Sequence, residues 1–253
     1  VILTRTGAVN QRLALRFSKL GFRTFAWPAF TIRLPEDETP VVKRFSDLSD
    51  IDLVLLVSPA SVAAVAHWVD HWPSHVTLAT VGEGTARVAR AAWGESVPII
   101  YPAGDAAHSG SEALMAELRK RGIPSRVLIC RGQTGREWLS EELLSEGADV
   151  QKLMCYERLP LQLTVQQEDE LREAMKGPAP VTYITSSEAI VSLLRAVHPV
   201  EGAWEWITSG AVVVIHPRSE SKVLEAGFHL VRMSSPIDDE VEKNVIACAE
   251  GLG

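Results

Sequence analysis

Residues 126–147 read RVLICRGQTGREWLSEELLSEG, and residues 1–21 read VILTRTGAVNQRLALRFSKLG. Each opens on a short Val/Ile/Leu run, breaks at an Arg, and continues with apolar residues at helical spacing until a Gly closes it. Leu3, Arg5, Leu13 and Gly21 of one stretch correspond to Ile129, Arg131, Leu139 and Gly147 of the other, each 126 positions further on. A strand–helix unit therefore occurs twice. Further units follow the same plan: LVLLVS then PASVAAVAHWV, TLATV then GEGTARVARAAWG, VTYITS then SEAIVSLLRAV, and VVVIH then PRSESKVLEAG. Continuous Val/Ile/Leu runs suit strands buried on both faces. Their alternation with helices predicts an α/β fold with parallel sheets and right-handed crossovers.

The duplication is not a simple tandem. Ser58 and Val65 correspond to Ser186 and Leu193, Gly82 to Pro217, and Leu114 and Leu118 to Val241 and Val245. With the units lettered a to d, the chain runs a, then b′c′d′a′, then b c d. One copy is circularly permuted and inserted in the other. The predicted domains are 1–33 plus 161–253, built from both ends of the chain, and an inserted domain over 36–158. Crossovers are expected near 27–35 and 153–160, where prolines punctuate extended segments. Two connections between similar domains predict a hinge with a cleft, and open α/β sheets bind ligands beyond the carboxyl ends of their strands.

Composition removes several function classes. Of 253 residues, 46% are hydrophobic and 23% charged, an ordinary globular balance. The longest apolar runs, such as 53–57 and 211–215, fall far short of the roughly 18 residues a membrane span needs. A net charge of −7 argues against a nucleic-acid partner, whose footprint is basic. The start lacks a basic segment followed by an apolar signal core, so a cytoplasmic setting is expected. Cys130, Cys155 and Cys248 form no CxxC and read as buried reduced thiols, with neither a disulfide framework nor a zinc site.

The residues just after the strands carry the candidate chemistry. In VGEGTAR (81–87), Gly82 and Gly84 allow close backbone approach, and Thr85 stands in a helix start whose free amides attract anions. The sixth position of a dinucleotide fingerprint is Arg87 here, and no acid follows at the expected strand end, so a nicotinamide site is not supported. Ser58 and Ser61 in one domain, and Ser186 and Ser187 in the other, place hydroxyls at equivalent helix starts. Such residues are also ordinary N-caps. His216, Arg218 and Ser219 close unit c, and Arg5 and Arg131 (with Gly132) occupy matching positions after units a and a′. His67, His71 and His75 share a spacing of four, but Pro73 is expected to end their helix, and no metal site is predicted. The acidic clusters 141–142, 168–170 and 238–240 fall in or at helix starts. Trp204 and Trp206 are expected to flank a loop. No GxSxG elbow or Walker loop is present.

In order, spacing and coverage, ILTR, LLVSPASV, VGEGTARVA, GSEALMAELR, RVLICRGQTGREWLSEELLSEGADV, CYER, YITSSEAIVSLL and VVVIHPRSESKVLEAGF resemble the uroporphyrinogen III synthase family along nearly the whole chain. Two positions depart from its pattern: Thr6 and Glu83 stand where Pro is common. The resemblance implies two flavodoxin-like domains joined by a two-stranded crossover. It implies closure of hydroxymethylbilane with loss of water and inversion of ring D, giving uroporphyrinogen III for heme synthesis, without cofactor or metal. The substrate's eight carboxylates suit helix starts, hydroxyls, Arg5, Arg131 and Arg218. The family's important tyrosine maps to Tyr156 of CYER, with the implied role of protonating or hydrogen-bonding the departing hydroxyl. Thr85, Ser58, Ser186 and Ser187 map to binding positions. A monomer is expected, with transient hand-over from hydroxymethylbilane synthase. The competing reading is a cleft-type small-molecule binder or tetrapyrrole sensor without catalysis.

Overall fold

A computed structural model describes residues 1–102, 110–133 and 137–251, with the Ala8 side chain excepted. Residues 134–136, within the quoted RVLICRGQTGREWLSEELLSEGADV stretch, lie outside the described residues. The chain opens with β1 (Ile2–Leu3), α1 (Ala8–Lys19) and β2 (Phe25–Ala26). It continues through β3 (Phe30–Arg33), α2 (Thr39–Ser46), β4 (Leu53–Leu56), α3 (Pro59–Val65), β5 (Thr77–Thr80), α4 (Glu83–Trp93) and β6 (Ile99–Ile100). Then come α5 (Ser111–Arg121), β7 (Arg126–Gly132), α6 (Trp138–Ser145) and β8 (Asp149–Pro160). The last part holds α7 (Val165–Ala174), β9 (Thr182–Ile184), α8 (Ser187–Val197), α9 (Ala203–Thr208), β10 (Ala211–Val214), α10 (Pro217–Glu225), β11 (Leu230–Met233) and α11 (Asp238–Ala249).

The chain divides into two compact units, Val1–Thr31 with Leu159–Gly253, and Ile32–Arg158. The first has a five-stranded sheet ordered β11-β10-β9-β1-β2, with parallel pairing throughout. Counted along that unit, the order is second, first, third, fourth, fifth, the flavodoxin-like arrangement. In the second unit the order is β3-β8-β7-β4-β5-β6. Strands β8-β7-β4-β5-β6 pair in parallel and repeat the same order if β7 counts as first, although the chain reaches β4 before β7. That is the permutation expected from the sequence, with β3 added beyond β8.

Burial explains why the apolar runs are strands. β4 and β10 are buried at every residue, because helices cover both faces of their sheets. In the first unit, one face packs Ile2, Ile184, Val212 and Val214 against α8, and the other packs Leu3, Tyr183 and Val213 against α1 and α11. Helix α8 shows why periodicity reveals it: Ala189, Ile190, Leu193, Ala196 and Val197 are buried, and the Ser186 hydroxyl accepts from the Ala189 amide at 3.2 Å.

Three local expectations are corrected. Helix α3 stops at Val65, before His67, not at Pro73, so the three histidines share no helix. Bonds of the tighter kind, His67 N–H to Ala64 and Trp68 N–H to Val65, follow Val65 as Trp68 turns its indole N–H to Glu38 at 2.7 Å. Trp204 and Trp206 lie in helix α9, not beside a loop, and Trp204 meets Phe228 edge to face while donating to the Ala226 carbonyl. Cys130 and Cys155 are buried as expected, but Cys248 is only partly so.

Candidate functional site

Tyr156 reaches its position through an irregularity in a parallel strand pair. β7 and β8 stay in register from Arg126–Asp149 to Arg131–Met154, and then Gly132 faces Tyr156, leaving Cys155 as an extra residue on β8. A bulge of this kind bends a strand and re-aims a side chain. The regular alternation that buries Leu153 and exposes Met154 is broken, and both Cys155 and Tyr156 turn into the core. The ring lies directly over Gly132, where a built β-carbon would sit 2.8 Å from Cε2 and 3.0 Å from Cζ of Tyr156. Only glycine leaves that room.

The Tyr156 hydroxyl then stands 3.3 Å from Ser58 Oγ. Ser58 caps α3 and accepts from the Ser61 amide at 3.1 Å, while the Ser61 hydroxyl donates to the Ser58 carbonyl at 2.7 Å. Ser61 is fully buried in this capping box, so its hydroxyl holds Ser58 in place. Tyr156, Ser58, Arg131, Gly132, Arg158 and Ser140 share a cavity of about 310 Å³ at the carboxyl ends of the unit's strands. Gly110 and Ser111, at the start of α5, also line it. Gly82, Gly84 and Thr85 stand at the neighbouring helix start, outside this cavity. Gly82 caps α4 with no side-chain bond, Gly84 has open space around it, and Thr85 is buried.

Arg131 is the cation in the cavity wall with the best-defined surroundings. Its guanidinium donates to Glu137 Oε1 at 2.6 Å, and Glu137 Oε2 accepts from Lys152 Nζ at 2.9 Å and from the Ser140 hydroxyl at 3.2 Å. These bonds, Lys152 first and Arg131 next, hold the Glu137 carboxyl down at about 2. Behind the wall, burial pushes the Cys130 thiol well up.

The first unit displays its predicted residues at the matching ends of its own strands. Arg5 follows β1 and donates to the Pro236 carbonyl at 3.2 Å. Ser186 caps α8, with Ser187 as its first residue. His216 caps α10, its Nδ1 accepting from the Arg218 amide at 3.0 Å; the Arg218 side chain is exposed and Ser219 is buried beneath it. A larger hollow of about 560 Å³ opens at the amino ends of the same strands, and it holds none of the predicted residues.

Sequence reasoning missed Glu137, Ser140, Arg158 and, in the first unit, Tyr183. The Tyr183 ring is fully buried and its hydroxyl has no hydrogen-bond partner among the described residues. Burial raises its pKa, against the opposing pull of Arg5. The position of Glu137 after a strand was the available signal, but an acid there looks like an ordinary helix-start residue. Among the described residues no group of three or more His, Cys, Asp or Glu could hold a metal ion. No helix among them is long and apolar enough to cross a membrane.

Comparison with known proteins gives consistent results. The family profile described as Uroporphyrinogen-III synthase HemD matches residues 11–240. Uroporphyrinogen-III synthase of Salmonella typhimurium is 24% identical over 247 residues, covering 95% of this chain and 96% of that protein. The Escherichia coli protein of the same name is 24% identical over 248 residues, covering 95% and 96%. Among solved structures, uroporphyrinogen-III synthetase of Helicobacter pylori superposes with a TM-score of 0.61 at 13% identity, covering 97% of this chain and 98% of that one. A mutant Thermus thermophilus uroporphyrinogen III synthase gives 0.59 at 16% identity, with 98% of both chains covered. At these identities the solved structures speak to the fold.

Proposed function

The chain belongs to the uroporphyrinogen-III synthase family, and from that premise we propose that it closes hydroxymethylbilane to uroporphyrinogen III with Tyr156 as the proton donor. The observation that carries the residue assignment is the Tyr156 hydroxyl, 3.3 Å from Ser58 Oγ in a cavity that also presents Arg131. In the reaction the C–O bond of the hydroxymethyl group breaks, and its hydroxyl leaves as water with the phenol's proton. The methylene carbon so freed bonds the ring-D carbon that already carries the bridge to ring C, and that bridge bond breaks. The released ring-C methylene bonds the ring-D carbon that bears hydrogen, which closes the macrocycle with ring D inverted; the proton lost there restores the phenol. The Ser58 hydroxyl can donate to the phenolic oxygen while it bears charge. A phenol is a weak acid, so its value lies in placement, and orientation of a long flexible substrate can itself supply about 7–11 kcal/mol.

Carboxylate binding is assigned to peptide amides and cations at the strand ends. Helices α1, α4 and α5 begin at Gly7, Gly82 and Gly110 with no side-chain cap, which leaves first-turn amides for an anion. Ser58, Ser186, Ser187, Thr85, His216, Arg218, Ser219 and Arg5 belong to the same proposed set. The proposal extends to a cytoplasmic monomer that takes hydroxymethylbilane from the enzyme that makes it.

The test supplies hydroxymethylbilane generated in situ from porphobilinogen, oxidises the products and separates their isomers. Unaided closure gives the type I ring. Type III product in proportion to added protein is the expected result. Type I product at the background rate from folded protein would overturn the assignment and leave a binding role.

A further inference from the structure

The ion pair behind the cavity does more than its exposure as a salt bridge would suggest. The Arg131 side chain is 12% exposed and Glu137 is 47% exposed. A half-exposed pair contributes little to stability. Its geometry has a clearer consequence. Arg131 and Ser140 line the cavity, whereas Glu137 and Lys152 do not. Glu137 grips Nη1 of Arg131 and the Lys152 ammonium with its two carboxylate oxygens. Although it stands at the cap position of α6, its side chain makes no cap bond, and the carboxylate is turned to the two cations.

Resting on the functional reading above, we propose that Glu137 is the positioning residue for Arg131, fixing its guanidinium so that its remaining N–H edge meets one substrate carboxylate. The charges of Arg131, Lys152 and Glu137 sum to one net positive charge, which matches one carboxylate at Arg131, while Arg158 lines the same cavity as a further cation. An unrestrained arginine would lose side-chain freedom on binding, and Glu137 removes that loss in advance. A carboxyl held near 2 by its two cations stays ionised through the neutral range, so the grip is present whenever the enzyme works.

The test is a double-mutant cycle with Arg131→Met, Glu137→Ala and both together, read as KM and kcat in the isomer-resolved assay. Glu137→Ala is expected to raise KM about tenfold, the size of a weakened charged hydrogen bond, with kcat within about threefold of the parent. In the Arg131→Met background the same change is expected to add nothing, because Glu137 acts through Arg131. Additive effects, or a parental KM in Glu137→Ala, would overturn the proposal. Urea unfolding checks each variant; should Glu137→Ala not fold, Glu137→Gln, which keeps an acceptor but no charge, answers the same question. The cycle is repeated with uroporphyrin III, an octacarboxylate, as an equilibrium binding probe. A parent that binds it through a coupled Arg131–Glu137 pair without turning substrate over would sink the functional reading and keep the inference. A parent that does neither would overturn both.

Discussion

A β-carbon on Gly132 would lie 2.8 Å from Cε2 of Tyr156, a distance that real contacts essentially never show. Gly132→Ala is therefore expected to push the ring aside and open the 3.3 Å approach of its hydroxyl to Ser58. The expected outcome is a kcat at least tenfold lower, at a stability cost of about 1–3 kcal/mol for the overpacking. Isomer-resolved turnover and urea unfolding of the same preparation check it, and a parental kcat would separate ring placement from catalysis. The two buried tyrosines should behave oppositely. Tyr156→Phe is expected to cost at least tenfold in kcat with little change in unfolding midpoint. Tyr183→Phe deletes a buried hydroxyl that has no partner among the described residues, so stability should hold or rise. A destabilised Tyr183→Phe would show that this hydroxyl is satisfied in solution. Glu137 adds a titration. Its folded pKa lies near 2 against an ordinary 4.5, so its contribution is complete above about 4.5 and fades as pH falls through 2. Carboxyl NMR should place its midpoint well below the ordinary 4.5; a midpoint near 4.5 would mean that the two cations do not hold it. Arg131 and Ser58 were legible in the sequence because the duplication singles out strand ends. Glu137 was not, because spacing cannot distinguish an acid that caps its own helix from one that reaches back to a cation.

Helices and strands were readable where one buried face repeats over two or more turns, as in α8, and where a run is buried on both sides, as in β4 and β10. They were misread where a single large side chain decided the outcome. Trp68 draws the chain out of α3 after about two turns, and α9 forms over only Ala203–Thr208 because Trp204 packs on Phe228. The bulge opposite Gly132 leaves no trace in hydrophobic pattern, since Cys155 and Tyr156 both suit a buried strand. The entry from α9 into β10 offers a test at this scale. A β-carbon at Gly210 would fall 1.9 Å from the Pro180 carbonyl oxygen, a backbone atom that cannot swing away. Gly210→Ala should therefore cost about 2 kcal/mol or more, read as a lower urea midpoint with unchanged slope. A neutral effect would mean that the α7–β9 connection yields freely. That position drew no attention in the sequence.

The permuted duplication predicts how the whole chain can be cut. Each unit carries its own sheet in the second-first-third-fourth-fifth order, and each has its own pair of apolar clusters. The two ends of the first unit are already tied together. The Leu161 amide donates to the Ala29 carbonyl at 2.9 Å, and the Ser192 hydroxyl donates to that carbonyl at 2.6 Å while accepting from Leu161 at 3.0 Å. Joining Thr31 to Leu159 through a short Gly/Ser linker thus closes a gap that the fold has already brought near, and loop closure over a few residues is inexpensive. The excised first unit is expected to fold alone, with a single cooperative urea transition and α/β circular dichroism. Retention of the transition on adding Ser192→Ala, at a lower midpoint, would assign part of that stability to the Ala29–Leu161 tie. A non-cooperative or aggregated product would show that the first unit needs the inserted copy to fold, and that the duplicated sheets, although alike in strand order, are not independent folding units.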